Sequence, residues 1–418
     1  MVAEKLGSGE RLLMSRISAV MGFFLVPAFS VVTPLLAIPA ITAMYGATGW
    51  SAVAVGLAIG AIASTVIELG WGWNGPARAA RASPSALPRV WATALMTRSA
   101  AALVATPPAA LLAYYLAPGH QVTALLTAIG TSLIGLSPSW LYIGLGRPWS
   151  LITIEMVPRA LGAATAAVMI YASQPLIFYP LIAVVAPALI TQCLTLAQIR
   201  AGRASFRGVT HRRVLHAIRR QRKIALARIA SSVYTQSPVV IVTAVASVGT
   251  AAAYAAGDRL MRMTLTGLAP VPSISQRWVN SPPETAERWR RAKLAIGANA
   301  AVGGLVGLVF ALCSPLLLSI IFSGVVGVTA FQALLIGAII LVVCTSRATG
   351  GLGLVVISGD RALLTSALVG AASGILTIPL LTLWFGTDGA FIGVLTSESA
   401  VLLTQFITLR THTRRTGN

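Results

Sequence analysis

The sequence predicts an all-α polytopic membrane protein of about twelve transmembrane helices in two six-span halves, with both termini cytoplasmic. Three observations predict it. The first is composition: of 418 residues, 56% are hydrophobic and 10% charged, with mean hydropathy +0.83. A soluble domain is about 25% charged, so this chain has too few charges to cover a globular surface in water. The second is a series of apolar stretches near the roughly 20 residues a crossing helix needs. The third is charge placement, which alternates strictly from loop to loop.

In order, the expected spans are 17–44, 50–73, 91–116, 122–144, 150–172, 176–198, 224–246, 251–273, 294–322, 329–357, 363–385 and 389–409. The first apolar run is too long for a cleavable signal peptide and lacks a small-residue cleavage site. With the N-terminus inside, the cytoplasmic segments hold Lys5, Arg11 and Arg16; Arg78, Arg81 and Arg89; Arg147; Arg277 to Lys293; Arg361; and Arg410, Arg414 and Arg415. The opposite loops, AMYGATG, APGHQ, SQP, VGT, SGVVGV and GTDG, contain no Lys or Arg. That bias fixes the orientation. Net charge is +21.

The midpoint stretch GRASFRGVTHRRVLHAIRRQRKIALAR, residues 202–228, holds nine Lys or Arg and no acid. It lies between spans six and seven, on the cytoplasmic side. No nucleic-acid-reading module accompanies it, so nucleic acid is not its expected partner. Val214, Leu215, Ile218 and Ile224 fall near helical spacing, which predicts an interfacial amphipathic helix. Its basic residues would meet anionic headgroups, at about 1 kcal/mol each. The expected organisation is a lobe over 1–200, a basic linker over 201–223 and a second lobe over 224–418.

The halves resemble each other. YIGLGRPWSLIT (142–153) and VISGDRALLTSA (356–367) both turn through Gly and Arg into a new apolar helix, and AMYGATGWSAVAVG (43–56) parallels ASVGTAAAYAAGD (246–258). Transporters commonly place substrate between such repeats, near the midplane.

Charges inside spans are costly and generally face a cavity or a partner. Glu155 and Arg159, in ITIEMVPRALG, share one helix face, and Arg159 would lie roughly 15 Å in. A self-neutralising pair and a functional pair both fit. Asp258, Arg259 and Arg262, in AAYAAGDRLMRMTL, carry net +1 and predict a cationic site for a phosphate or acidic group, which Arg contacts bidentately. Arg98 would lie roughly 12 Å into span three, facing a cavity or snorkelling to the surface. Glu398, between Ser397 and Ser399, would hold a coupling cation or proton, or bond a neighbouring helix. Glu68 and Arg228 read as interfacial. Pro27, Pro34, Pro39, Pro107 and Pro108 predict kinks.

Cys193, Cys313 and Cys344 lie in apolar runs and read as small packing residues without a disulfide. No pattern points to an enzyme, a metal or a cofactor.

The quoted segments carry a family resemblance. YGATGWSAVAVGLAIGAIASTVIELGWGWNGPARAAR (45–81), WLYIGLGRPWSLITIEMVPRAL (140–161), AAAYAAGDRLMRM (251–263) and FSGVVGVTAFQALLIGAIILVVCTSRATGGLGLVVISGDRALL (322–364) are similar to bacterial polysaccharide and O-antigen flippases of the multidrug/oligosaccharidyl-lipid/polysaccharide exporter superfamily. The resemblance touches both halves through loose patterns kept in order. It implies two six-helix lobes around a central cavity that opens alternately to each side. It also implies an isoprenoid-diphosphate-linked oligosaccharide as substrate, polysaccharide assembly proteins as partners, and the bacterial plasma membrane as location. On that reading Arg259, Arg262, Asp258, Arg159, Glu155 and Arg98 are cavity residues, and Glu398 is the coupling position. Span one has no charge after Arg16, unlike the lipid II flippase branch, which counts against peptidoglycan precursors. Competing readings are a cation-coupled multidrug exporter, for which Glu68 and Glu155 are poorly placed acids, and an integral-membrane glycosyltransferase or polymerase, for which Asp388 is the only outer-loop acid.

Overall fold

A computed structural model describes residues 33, 35–199, 206, 209–354 and 360–416. The expectations placed on Pro27, Pro34, Arg16 and residues 200–205 lie outside these. Among the described residues the regular structure is entirely helical.

The main helices among the described residues are, in order, α1 Ile38–Glu68, α2 Trp71–Arg81, α3 Leu87–Leu116, α4 Gln121–Gly144, α5 Pro148–Tyr171 and α6 Pro180–Gln198. Then come α7 His211–Val245, α8 Val248–Gly267, α9 Pro270–Asn280, α10 Thr285–Ile321, α11 Ala330–Leu354 and α12 Asp360–Thr416. Among the described residues, eight helices are long and apolar enough to cross a membrane: α1, α3–α6 and α10–α12. Ser231, Ser232, Thr235 and Gln236 dilute the apolar run of α7, and Asp258, Arg259 and Arg262 that of α8.

The elements are not simple rods. The 57 residues of α12 would extend roughly 85 Å as a straight helix, far beyond the ~30 Å hydrocarbon layer. They do not run straight, because Gly386 sits at φ 57°, ψ −131°. Gly46, at φ 62°, ψ −159°, breaks α1 in the same way. Only glycine enters that backbone region freely, so each break turns one continuous run into two helical arms. α1 then ends at Leu69 and Gly70, both at positive φ. The short amphipathic α2 follows, burying Trp71, Gly75 and Ala79 at i, i+4 and i+8.

The chain divides into two compact units. The first runs to Tyr45 and resumes over Ala52–Gln236; the second takes Gly46–Ser51 and continues from Ser237.

In the first unit, Gly56 and Gly60 let α1 lie against α4, since a Cβ at either would stand 2.6 Å from Ala124 O or Thr131 Cβ. Small residues permit such approach in membranes, where burial from water no longer drives helices together. An aromatic core gathers Trp71, Trp91 and Trp140 with Ala79, Leu141 and Val209. Trp71 and Trp140 lie 5.2 Å apart, and Phe206 stands edge-on to Trp91 at 6.0 Å. The residues expected to form the linker helix open α7, which continues as one helix to Val245. It packs on the end of α1 and the start of α2: Gln221 is fully buried, and with its side-chain amide turned to match its neighbours the nitrogen donates to Leu69 O at 2.9 Å and the oxygen accepts from Trp71 Nε1 at 3.0 Å.

In the second unit, α8 starts at a Ser247 cap whose Oγ accepts from the Thr250 amide, and α11 starts at a Thr329–Gln332 capping box. Trp50 is 1% exposed. Its Nε1 donates to Ala252 O at 3.2 Å, and its ring meets Phe322 edge-on at 5.0 Å. Val279, Ala292, Ala295, Ile296, Ala348 and Leu352 form a second core.

Apolar side chains also point outward, with Leu103 and Val104 of α3 79% and 76% exposed. In a chain this short of charge, that surface suits lipid. Cys344 is buried as expected of a packing residue, whereas Cys193 and Cys313 are exposed on outward helix faces; all three are free.

Candidate functional site

Among the described residues, each unit holds a buried carboxylate paired with an arginine one helical turn on. The first lies in a cluster that joins α3, α4 and α5. After one α-helical turn, Pro148–Leu151, α5 widens into a π-helical turn, Ile152–Met156, of a kind that commonly marks functional positions. Pro158 lacks an amide proton to close the regular ladder there. The turn sets Glu155 inward, 3% exposed. Arg159, four residues on, donates from Nη2 to Glu155 Oε1 at 2.6 Å, and its side chain remains 25% exposed. The other carboxylate oxygen, Oε2, accepts from Ser137 Oγ at 2.7 Å.

Ser137 lies where α4 loses its regular ladder, between the 3₁₀ turn Ile134–Leu136 and Pro138. The carbonyls exposed there are taken by Arg98 of α3. Its Nη1 donates to Gly135 O at 3.3 Å and Ser137 O at 2.8 Å, and its Nε to Ala94 O at 3.1 Å. Arg98 is 0% exposed and its guanidinium stands 5.8 Å from the Trp140 ring centre. It therefore neither snorkels nor faces open space. The structure brings Arg98, Glu155 and Arg159 together. Ser137 was the missing link; its only signal in the sequence is the SPS motif interrupting an apolar run.

The second cluster lies on α8. Asp258 is 3% exposed. Arg262, one turn on, grips it with Nε to Oδ2 at 2.6 Å and Nη2 to Oδ1 at 2.8 Å. The Arg262 side chain remains 27% exposed. Arg259 is half-buried beside them. Glu398 of α12 is half-buried. Ser397 seats that stretch by donating to Gly370 O at 2.9 Å. Tyr254, one turn before Asp258, is buried against Phe391 at 5.0 Å.

Two other charges read separately along the sequence meet in the fold: Arg228 Nη2 and Glu68 Oε2 are 3.2 Å apart. Arg347 donates to Leu265 O at 3.1 Å. Among the described residues, no three His, Cys, Asp or Glu side chains gather as a metal site.

No family model and no curated protein matches the sequence. The architecture, in contrast, is shared with solved structures. One is an inward-facing multidrug resistance MATE family transporter of the MOP superfamily, with TM-score 0.61 and 13% identity over 92% of this chain and 93% of that one. Another is the lipid II flippase MurJ in an inward closed conformation, with TM-score 0.64 and 13% identity over 94% and 87%. A third is a MATE in the bent conformation, with TM-score 0.52 and 14% identity over 97% and 98%. The chain has their fold.

Proposed function

We propose that this protein is a flippase that moves isoprenoid-diphosphate-linked oligosaccharides from the cytoplasmic to the outer leaflet by alternating access, for cell-surface polysaccharide synthesis in a bacterial plasma membrane. On this reading the helical arms make twelve spans with both termini inside, and the basic linker meets anionic headgroups. The observation that carries the proposal is the pair of held arginines. Arg159 and Arg262 each keep a carboxylate partner and leave about a quarter of the side chain exposed. An arginine so oriented can take a phosphate oxygen pair without first losing the conformational freedom of a loose side chain. Arg259 adds a further positive charge beside Asp258.

The same feature weighs against a cation-coupled multidrug exporter, the other reading the fold allows, because the partly exposed Arg159 and Arg262 side chains carry positive charge, which disfavours lipophilic cations. Glu398 is the candidate coupling position in either case. Whatever the substrate, it must bind the two states differently to shift their populations.

The test uses the full-length protein in nanodiscs, with undecaprenyl diphosphate and tetraphenylphosphonium as probes and native mass spectrometry as readout. Losing one charge-assisted bond costs about 1.5–3 kcal/mol, so Arg159→Ala plus Arg262→Ala should weaken diphosphate binding at least tenfold. Complementation of a flippase-deficient polysaccharide strain should fail with the same double variant at matched membrane levels. Tight tetraphenylphosphonium binding together with diphosphate binding that the variant leaves unchanged would reject the flippase reading.

A further inference from the structure

We infer that Arg98 is a positioning residue that aims Arg159 through Ser137 and Glu155, without itself touching substrate. The inference deepens the proposed function where it concerns the ligand, but its central contact chain stands apart from it.

A guanidinium inside an apolar helix pair is costly unless its donors are used. Arg98 spends Nη1 on the carbonyls freed at the α4 break, Gly135 O and Ser137 O, and Nε on Ala94 O, while its buried Nη2 has no hydrogen-bond partner among the described residues. A broken helix within a membrane protein needs such a donor to replace the lost ladder. At 0% exposure, Arg98 has no path to a ligand in this conformation.

The Ser137 carbonyl is held by Arg98, and its hydroxyl donates to Glu155 Oε2 at 2.7 Å. Glu155 in turn holds Arg159 through Oε1 at 2.6 Å. Both Glu155 oxygens are thereby engaged, one by a fixed serine and one by the partly exposed arginine. Three helices are linked in series: α3 fixes the break in α4, the break fixes a hydroxyl, and the hydroxyl fixes the carboxylate that aims Arg159. The groups count two guanidinium charges and one carboxylate, leaving one positive charge, and Arg159 is the partly exposed member.

The experiment labels arginine with ¹⁵N in the full-length protein in nanodiscs and follows the Arg159 guanidinium signal, assigned by its loss in Arg159→Lys. The Arg262 signal of the second unit reports retained folding. Ser137→Ala and Arg98→Gln should each speed solvent exchange of the Arg159 protons about tenfold, as expected for loss of one hydrogen bond to a charged group. Ser137→Thr, which keeps the hydroxyl, should restore the native rate. If Arg98→Gln loses the Arg262 signal, Arg98→Lys and Ser137→Ala carry the test. An Arg159 signal unchanged in both, with Arg262 intact, overturns the inference.

A second arm adds undecaprenyl diphosphate. Failure of the native protein to bind it would sink the proposed function while leaving the positioning result readable from the NMR arm. If it binds, Arg98→Gln and Ser137→Ala together should weaken binding no more than the stronger single change, since residues acting in one chain are not additive. Multiplied effects would instead place Arg98 against the ligand and refute its role as a positioning residue.

Discussion

Replacing Arg262 by methionine tests the second cluster most directly. Methionine keeps much of the side-chain stem, so the packing change is small. The electrostatic change is not. Asp258, with its side chain 5% exposed, loses both bonds at 2.6 and 2.8 Å. Breaking a buried pair by removing one partner costs about 3–5 kcal/mol. Arg259 keeps a positive charge one residue away, so we expect the lower part of that range, about 3 kcal/mol. A reversible SDS titration in mixed micelles, read by near-ultraviolet circular dichroism, measures it. The companion variant Asp258→Leu plus Arg262→Met removes both charges and should return to within about 1 kcal/mol of native, because a buried pair is often no better than apolar groups of similar volume. A single variant within about 1 kcal/mol of native, or a double variant as unstable as the single, would refute the reasoning. The double variant should still fail in diphosphate binding, which separates stability from the site.

Two glycines give further tests. Gly75→Ala would put a Cβ 2.6 Å from Trp140 Cε3, so the Trp71–Trp140 contact must shift, at about 1–3 kcal/mol, and the near-ultraviolet signal of that pair should change. Gly46→Ala meets no atom within 4 Å, so its whole cost is the backbone at φ 62°, ψ −159°; the same titration should show a loss of about 1–3 kcal/mol with no change in the tryptophan signal.

The apolar stretches and the charge pairs within one helix were legible because their signals are local. Glu155 and Arg159, and Asp258 and Arg262, stand four residues apart, and helical geometry alone puts each pair together. The limits of the helices were less legible. The apolar count carries span two to residue 73 and span eight to 273, yet α1 ends at Glu68 and α8 at Gly267. Hydropathy does not register the positive φ values at Leu69 and Gly70, nor the prolines that start α9. The Arg98–Ser137 and Ser137–Glu155 bonds span 39 and 18 residues. They depend on how three helices stack, which no periodicity encodes. Arg98 accordingly reads from sequence as a depth in the bilayer, and only the fold supplies its partners.

The anchoring of Trp50 bears on how the chain is made. Its indole bonds a carbonyl 202 residues later, so the ribosome must add that length before the contact exists. At roughly 5–20 residues per second, Trp50 waits about 10–40 s for its partner carbonyl. During that interval a large aromatic side chain and an unpaired indole proton stay uncovered. The insertion machinery, lipid headgroups or a chaperone must shelter them. A gene cut between residues 236 and 237 would separate Gly46–Ser51 from the unit that houses them. Co-expressed fragments should therefore mature only when both reach the same membrane together.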